Sequence, residues 1–230
     1  MAITTRDNVI AGLAQAVPWV LDKATIATQV IGLPCSLWRA TGTPAQAAIP
    51  GAAAVCNAAL LGAFPLVNQT LPAKNYLGRL SVLNSLANSN LILADRLVHM
   101  GGLSGTVATL QTVGLDLLTQ SVPVARIGAM DYSSVQWFLE WFTATGGTAV
   151  TATVAVTYND GTTGNLAAIS LPATVSAGRM IPLIPAVAGK YIRGVTGVTL
   201  SATTGTAGSF GVCATRALTC LLYTSPSPRD

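Results

Sequence analysis

A single histidine, His99, and a single glutamate, Glu140, bound the acid–base chemistry open to this chain of 230 residues. A Ser-His-Asp hydrolase would have to join His99 to residues such as Ser104 and Asp95. The stretch "HMGGLSG" around them superficially resembles a glycine-rich oxyanion loop and a GxSxG elbow. Ser104 sits in Gly102-Leu-Ser-Gly-Thr, however, so the closing glycine is misplaced. The two glycines after Met100 read more simply as a turn that ends a strand. Paired carboxylates, as in glycoside hydrolysis, would draw on Asp95, Asp116, Asp131, Glu140 and Asp160. Asp116, Asp131 and Asp160 read as turn residues. Glu140 stands among Trp137, Trp141 and Phe142, where a carboxylate could hold a raised pKa or line a sugar site. Its plainer reading is a solvated or Arg-paired position on a strand. No Walker loop, GxGxxG, HExxH, EF-hand or CxxC pattern occurs. The sequence predicts no enzyme, no cofactor and no metal site.

Charged residues make up 9% of the chain, against about 25% in ordinary soluble proteins. Such a chain sits in a membrane, is covered by neighbours in an assembly, or presents a Thr/Ser/Asn surface to water. The longest charge-free stretch, 40–73, is broken by Pro44, Pro50, Pro65 and Pro72. A spanning helix needs ~20 consecutive apolar residues, so no transmembrane helix is expected. The opening "MAITTRDNVIAGL" places Asp7 and Asn8 where a signal peptide wants an apolar run. The net charge of +4 is spread over single Lys and Arg residues without a basic stripe. Neither a membrane nor nucleic acid is expected as a partner.

The elements that would have to position these residues come in two groups. "TRDNVIAGLAQAV", 5–17, predicts a short helix capped by Thr5, with Val9, Leu13, Ala16 and Val17 on one face and Pro18 as its stop. From Trp19 to about Leu77 prolines recur and periodicity fails, which predicts an extended, loop-rich arm. "NLILADRLVHMGG", 90–102, reads as strand, with a helix as the alternative. "SVQWFLEWFTATGG" alternates with aromatics on both faces, so its strand is central. "TAVTATVAVTY" places Val150, Val154 and Val156 on an inner face and Thr151, Thr153 and Thr157 on an outer one. Asp160-Gly161 marks a hairpin turn, with 166–171 returning. Residues 195–218 read as a second hairpin, turning through 205–208. The expected fold is mainly β: an antiparallel, jelly-roll-like β-sandwich behind a short N-terminal helix and an extended, loop-rich N-terminal arm.

The last eleven residues, "CLLYTSPSPRD", resemble nothing upstream. In one reading frame they match a transposon adapter used in sequencing libraries. They are expected to be foreign, with the natural chain continuing differently after about Thr219. The expected divisions are therefore 1–77, helix and arm; 78–219, sandwich; and 220–230, a non-native tail. This leaves Cys35, Cys56 and Cys213, expected as free thiols in a reducing compartment.

In "LADRLVHMGGLSGTVATLQTV" (93–113), "VTYNDGTTGN" (156–165) and "VTGVTLSATTGTAGSFGVCATRAL" (195–218), the chain resembles a group of tailed-bacteriophage structural proteins. Its opening "TRDNVIAGLA" is similar to theirs as well. It departs from them at Val98, where they carry Trp. The resemblance implies a virion component without catalysis, made in the host bacterial cytoplasm. It would form a homo-oligomer, with copies of itself and other virion proteins as partners. The other reading is a secreted or surface β-sandwich that binds carbohydrate in a cleft of Trp137, Trp141 and Glu140. The arm, 32–71, is too poor in large apolar residues to build its own core. It is expected against a neighbouring subunit or back over its own sandwich, with Trp38, Leu60, Leu61 and Phe64 as anchors.

Overall fold

Thr5 opens the first helix, α1 (Arg6–Ala14), by accepting a hydrogen bond from the Asn8 amide at 3.2 Å. The computed structural model describes residues 4–24, 32–64, 89–206 and 208–223. The helix ends at Ala14, short of the expected Val17. Gln15 closes it with a tightened last turn, and no residue of α1 is buried, so packing does nothing to prolong it. The arm then contributes three two-residue strands: β1 (Asp22–Lys23), β2 (Gly42–Thr43) and β3 (Ala54–Val55). β1 pairs with β2, and the Lys23 ammonium bonds the carbonyls of Ala40 and Pro44.

The sandwich follows as β4 (Ser89–Ser104), β5 (Gln111–Asp116), a single helical turn α2 (Val124–Ile127), β6 (Gln136–Trp141), β7 (Val150–Tyr158), β8 (Thr163–Asn165), β9 (Ile169–Leu171), β10 (Met180–Leu183), β11 (Ile192–Leu200) and β12 (Ser209–Tyr223). One sheet runs β10-β6-β12-β4-β3 and the other β5-β11-β7-β8, with β9 also on β7. All pairings are antiparallel. From β4 onward the chain passes repeatedly from one sheet to the other, and the first and last long strands, β4 and β12, lie side by side. This is the jelly-roll order.

The inner faces meet in one core. Trp137, Leu139 and Trp141 of β6 and Phe210 of β12 face Val154 and Val156 of β7, all nearly inaccessible to solvent. The Trp141 and Phe210 rings lie 4.4 Å apart, and the Trp137 indole N–H donates to the Ile192 carbonyl at 2.8 Å. β6 has a partner on each side, as its two aromatic faces predict.

Along β7, Val150, Val154 and Val156 are buried and Thr151 and Thr153 exposed, as expected. Thr157 departs from the pattern and is buried. It sits where β7 is flanked by both β8 and β11, beside a register shift in β11. The Asp160-Gly161 hairpin joins β7 to β8, with Gly161 at φ 84°. The return, 166–171, is broken, with Leu166 and Leu171 both buried alongside β7 in the same sheet.

Two expectations are corrected. Residues 195–218 are not a hairpin, because β11 and β12 belong to opposite sheets. Sheets stack about 10 Å apart, and the stretch 201–208 crosses that gap so that Leu200 and Phe210 enter one core from opposite sides. The crossing is tied down by Gly105, whose N–H donates to Gly208 at 2.7 Å and whose carbonyl accepts from Thr204 at 2.8 Å. Nor do Gly101 and Gly102 end β4, which runs on to Ser104. The arm crosses the strand there, and a Cβ on Gly101 would lie 2.0 Å from the Pro50 carbonyl oxygen. The glycine marks a close approach.

The described part of the arm, 32–64, lies back over its own sandwich. β3 pairs with β4, and Cys35 bridges to Arg179 just before β10. The expected boundary at residue 77 lies outside the described residues. Of the eleven C-terminal residues, set apart in the sequence as a non-native tail, 220–223 continue β12 opposite 89–92 of β4. The rest lie outside the described residues.

Candidate functional site beneath the arm

Residues three apart on a regular strand point to opposite faces. In β4 the register against β12 shifts at Leu97, since Val98 pairs with Ala214 and Arg96 with Thr215. The bulge brings Arg96 and His99 together on the outer face, and Arg96 Nε donates to His99 Nδ1 at 3.1 Å. From the same face of β6, Glu140 reaches Arg96 Nη2 with Oε2 at 2.6 Å. The ion pair is deeply buried, with side-chain exposures of 12% and 1%. The Trp38 ring of the arm closes it from above, its centroid 4.1 Å from the Arg96 guanidinium carbon and 5.2 Å from the His99 ring. Cys56 of the arm and Cys213 of β12 complete the buried cluster.

The electrostatics follow from this enclosure. Burial, reinforced by the Arg96 charge, pushes His99 down to about 4, so the ring is neutral near pH 7. Burial pushes the Cys56 thiol up to about 11 and the Cys213 thiol higher still, against the pull of Arg96. Arg96 is held protonated by Glu140 despite its own burial. Protonated thiols are poor nucleophiles, the His99 Nδ1 lone pair is already engaged by Arg96, and the contacts of the group fasten the arm to the sheet.

Two further arginines tie the arm to the sandwich. Arg126 of α2 grips Asp95 of β4 with two bonds, at 2.9 and 2.7 Å, and also donates to the carbonyls of Cys56 at 2.7 Å and Arg96 at 3.0 Å. Arg39 of the arm donates to Ala47 at 3.1 Å and Phe142 at 3.0 Å, over the Phe142 ring. Between arm and sheet remains a cleft of about 240 Å³ bordered by Arg39, Thr41, Gln46, Glu140, Phe142 and Gly178. A shallow groove of about 360 Å³, with Thr163, Asn165 and Thr196 on its rim, opens on the outer face of the other sheet.

Sequence-predicted residues are placed as follows. Asp95, His99 and Ser104 each have separate partners: Arg126, Arg96 and Thr106. Five residues along one strand separate His99 from Ser104, roughly 16 Å, so the three form no triad. Trp137 and Trp141 lie with their rings in the core, and Glu140 is the Arg-paired strand carboxylate. Glu140 and Trp141 also border the cleft between arm and sheet, and Trp137 does not reach it. Trp38 is half-buried and donates from its indole to the Leu61 carbonyl at 3.0 Å. Leu60 and Phe64 are half-buried, while Leu61 is 56% exposed. Arg96, the hub of the cluster, was not singled out in the sequence. Its only signal was the need of a lone strand glutamate for a cation.

Against known protein families, curated proteins and solved structures, the chain finds no match.

Proposed function

We propose that this chain is a structural subunit of a phage particle and acts by assembly, without catalysis. The observation that carries the reading is α1. Its sequence supplies a cap and an acidic first turn, yet none of its residues is buried. Val9, Ile10 and Leu13 are between 42% and 55% exposed, and Val17, Trp19 and Val20 beyond them are exposed too. A helix this short is marginal alone in water, so its order is best explained by a neighbouring subunit against its exposed Val9, Ile10 and Leu13. The resemblance in 93–113 and 195–218 supports the virion setting, and the low charge agrees with surfaces covered by neighbours. The jelly-roll wrap hosts both capsid and lectin proteins, so the fold alone does not decide between them.

The test is mass spectrometry of particles purified from the host that carries the gene. The chain is expected as a stoichiometric component, and removing residues 1–20 is expected to abolish its incorporation while leaving the sandwich folded. Particles without the chain would overturn the reading.

A further inference from the structure

Arg39 is a cation with donors to spare. Its Nε and Nη1 donate to the carbonyls of Ala47 at 3.1 Å and Phe142 at 3.0 Å. A guanidinium has five N–H donors, and among the described residues Nη2 meets neither a carboxylate nor another acceptor. Arg39 borders the cleft of about 240 Å³ between arm and sheet. So do Thr41 and Gln46, whose side chains form no hydrogen bond among the described residues. Glu140 is the one carboxylate on the border, and Arg96 already matches its charge at 2.6 Å. Lys23 adds a second cation close by. Its ammonium bonds the carbonyls of Pro44 and of Ala40, which itself borders the cleft, and it has no carboxylate partner among the described residues. Its neighbour Asp22 is exposed and alternates to the other face of β1. The balance of charge at the cleft is therefore positive. Much of the remaining border is apolar, with Phe142, Ala24 and Ala177.

We infer that this cleft is a binding site for a short aliphatic carboxylate. Arg39 Nη2 supplies charge-assisted hydrogen bonds, Thr41 and Gln46 add neutral donors at the rim, and the apolar border takes the carbon stem, the usual division of labour in a small-molecule site. A bare inorganic anion would leave that apolar border without a partner. The same carboxylate can arrive as a free acid or as the acidic side chain of another protein. The inference does not rest on the assembly reading above.

Heteronuclear NMR of the full chain at constant ionic strength tests this. Propionate serves as the free acid, and a capped tripeptide with a central glutamate as the side-chain form. Propionate is expected to shift the amides of 39–46 and 177–178 saturably, whereas propionamide, alike in shape but uncharged, leaves them in place. Arg39→Gln is expected to weaken propionate binding about tenfold or more. Because Arg39 also fastens the arm, Thr41→Val and Gln46→Ala, both at exposed positions, keep the test independent of folding, and each is expected to weaken binding about threefold. Tighter binding of the tripeptide assigns the site to an acidic side chain of a partner protein. Propionate binding at least as tightly assigns it to a free acid. No saturation by either probe, an equal response to propionamide, shifts spread over Lys and Arg residues away from the cleft, or an affinity unchanged in all three variants overturns the inference.

Discussion

The Trp38 ring stands 4.1 Å from the guanidinium carbon of Arg96, which holds the buried carboxylate of Glu140 at 2.6 Å on its other side. Arm and sheet thus share one cation. The fastening is specific, because the ring supplies a π face to a charge that water does not reach. The thirty-odd residues of arm around it bury mostly small side chains, such as Ala40, Ala47 and Cys56.

Trp38→Ala is expected to loosen the arm rather than the sandwich. Loss of the stacked ring should cost about 1–2 kcal/mol locally. Hydrogen exchange should accelerate in 32–64, while β6 and β7 keep their protection. Uniform acceleration across both sheets would show that the arm is integral to the fold.

Glu140→Gln leaves the Arg96 charge without its counter-ion in a buried site. Breaking such a pair typically costs about 3–5 kcal/mol, to be read as a lowered urea midpoint. Asp160→Asn, which removes the exposed partner of Lys190, should shift the midpoint far less.

Acid should weaken the protein through His99. Its folded pKa of about 4 lies below the usual 6.5, so the unfolded chain takes up the proton first. The stability that His99 contributes is complete above pH 6.5 and is lost as pH falls toward 4. At most about 3 kcal/mol is at stake. His99→Gln should flatten that part of the stability–pH curve, and an unchanged slope between pH 6.5 and 4 would contradict the neutral, buried ring.

Val154→Ala should destabilise by roughly 1–3 kcal/mol, through lost burial and a residual void. Thr153→Ala, next to it on the exposed face, should cost less than about 0.5 kcal/mol. Thermal or urea unfolding of the two variants gives the comparison directly.

Much of the sandwich was legible because strand faces obey a local rule. Val150, Val154 and Val156 announce a buried face, and Asp160-Gly161 a tight turn, within a window of a dozen residues. The crossing at 201–208 was not legible. A strand, a Gly/Thr-rich stretch and a second strand look alike whether the chain pairs with itself or steps to the opposite sheet. That choice is made by Gly105, about a hundred residues away, through backbone groups that every residue possesses. The candidate site was legible only in part. Glu140 stood out by its aromatic neighbours, but Arg96 and His99 share a face only because of a bulge, which no side-chain pattern records. The seat of the arm was hidden too, since Arg39 and Arg126 fasten it largely through main-chain carbonyls.

The position of β12 constrains how the molecule can come into being. It lies between β4 and β6, so a strand made well after both of them occupies the lane between them. Until residues 209–216 leave the ribosome, β4 and β6 have an empty lane between them, and the core lacks Phe210, Val212 and Ala214. The sheet cannot be assembled by stepwise addition at an edge. It must wait for a strand that follows β6 only after five intervening strands, a non-local closure of the slow-folding kind. Nascent chains stopped short of residue 209 should stay open and sticky, and chaperone demand should fall abruptly once that strand emerges.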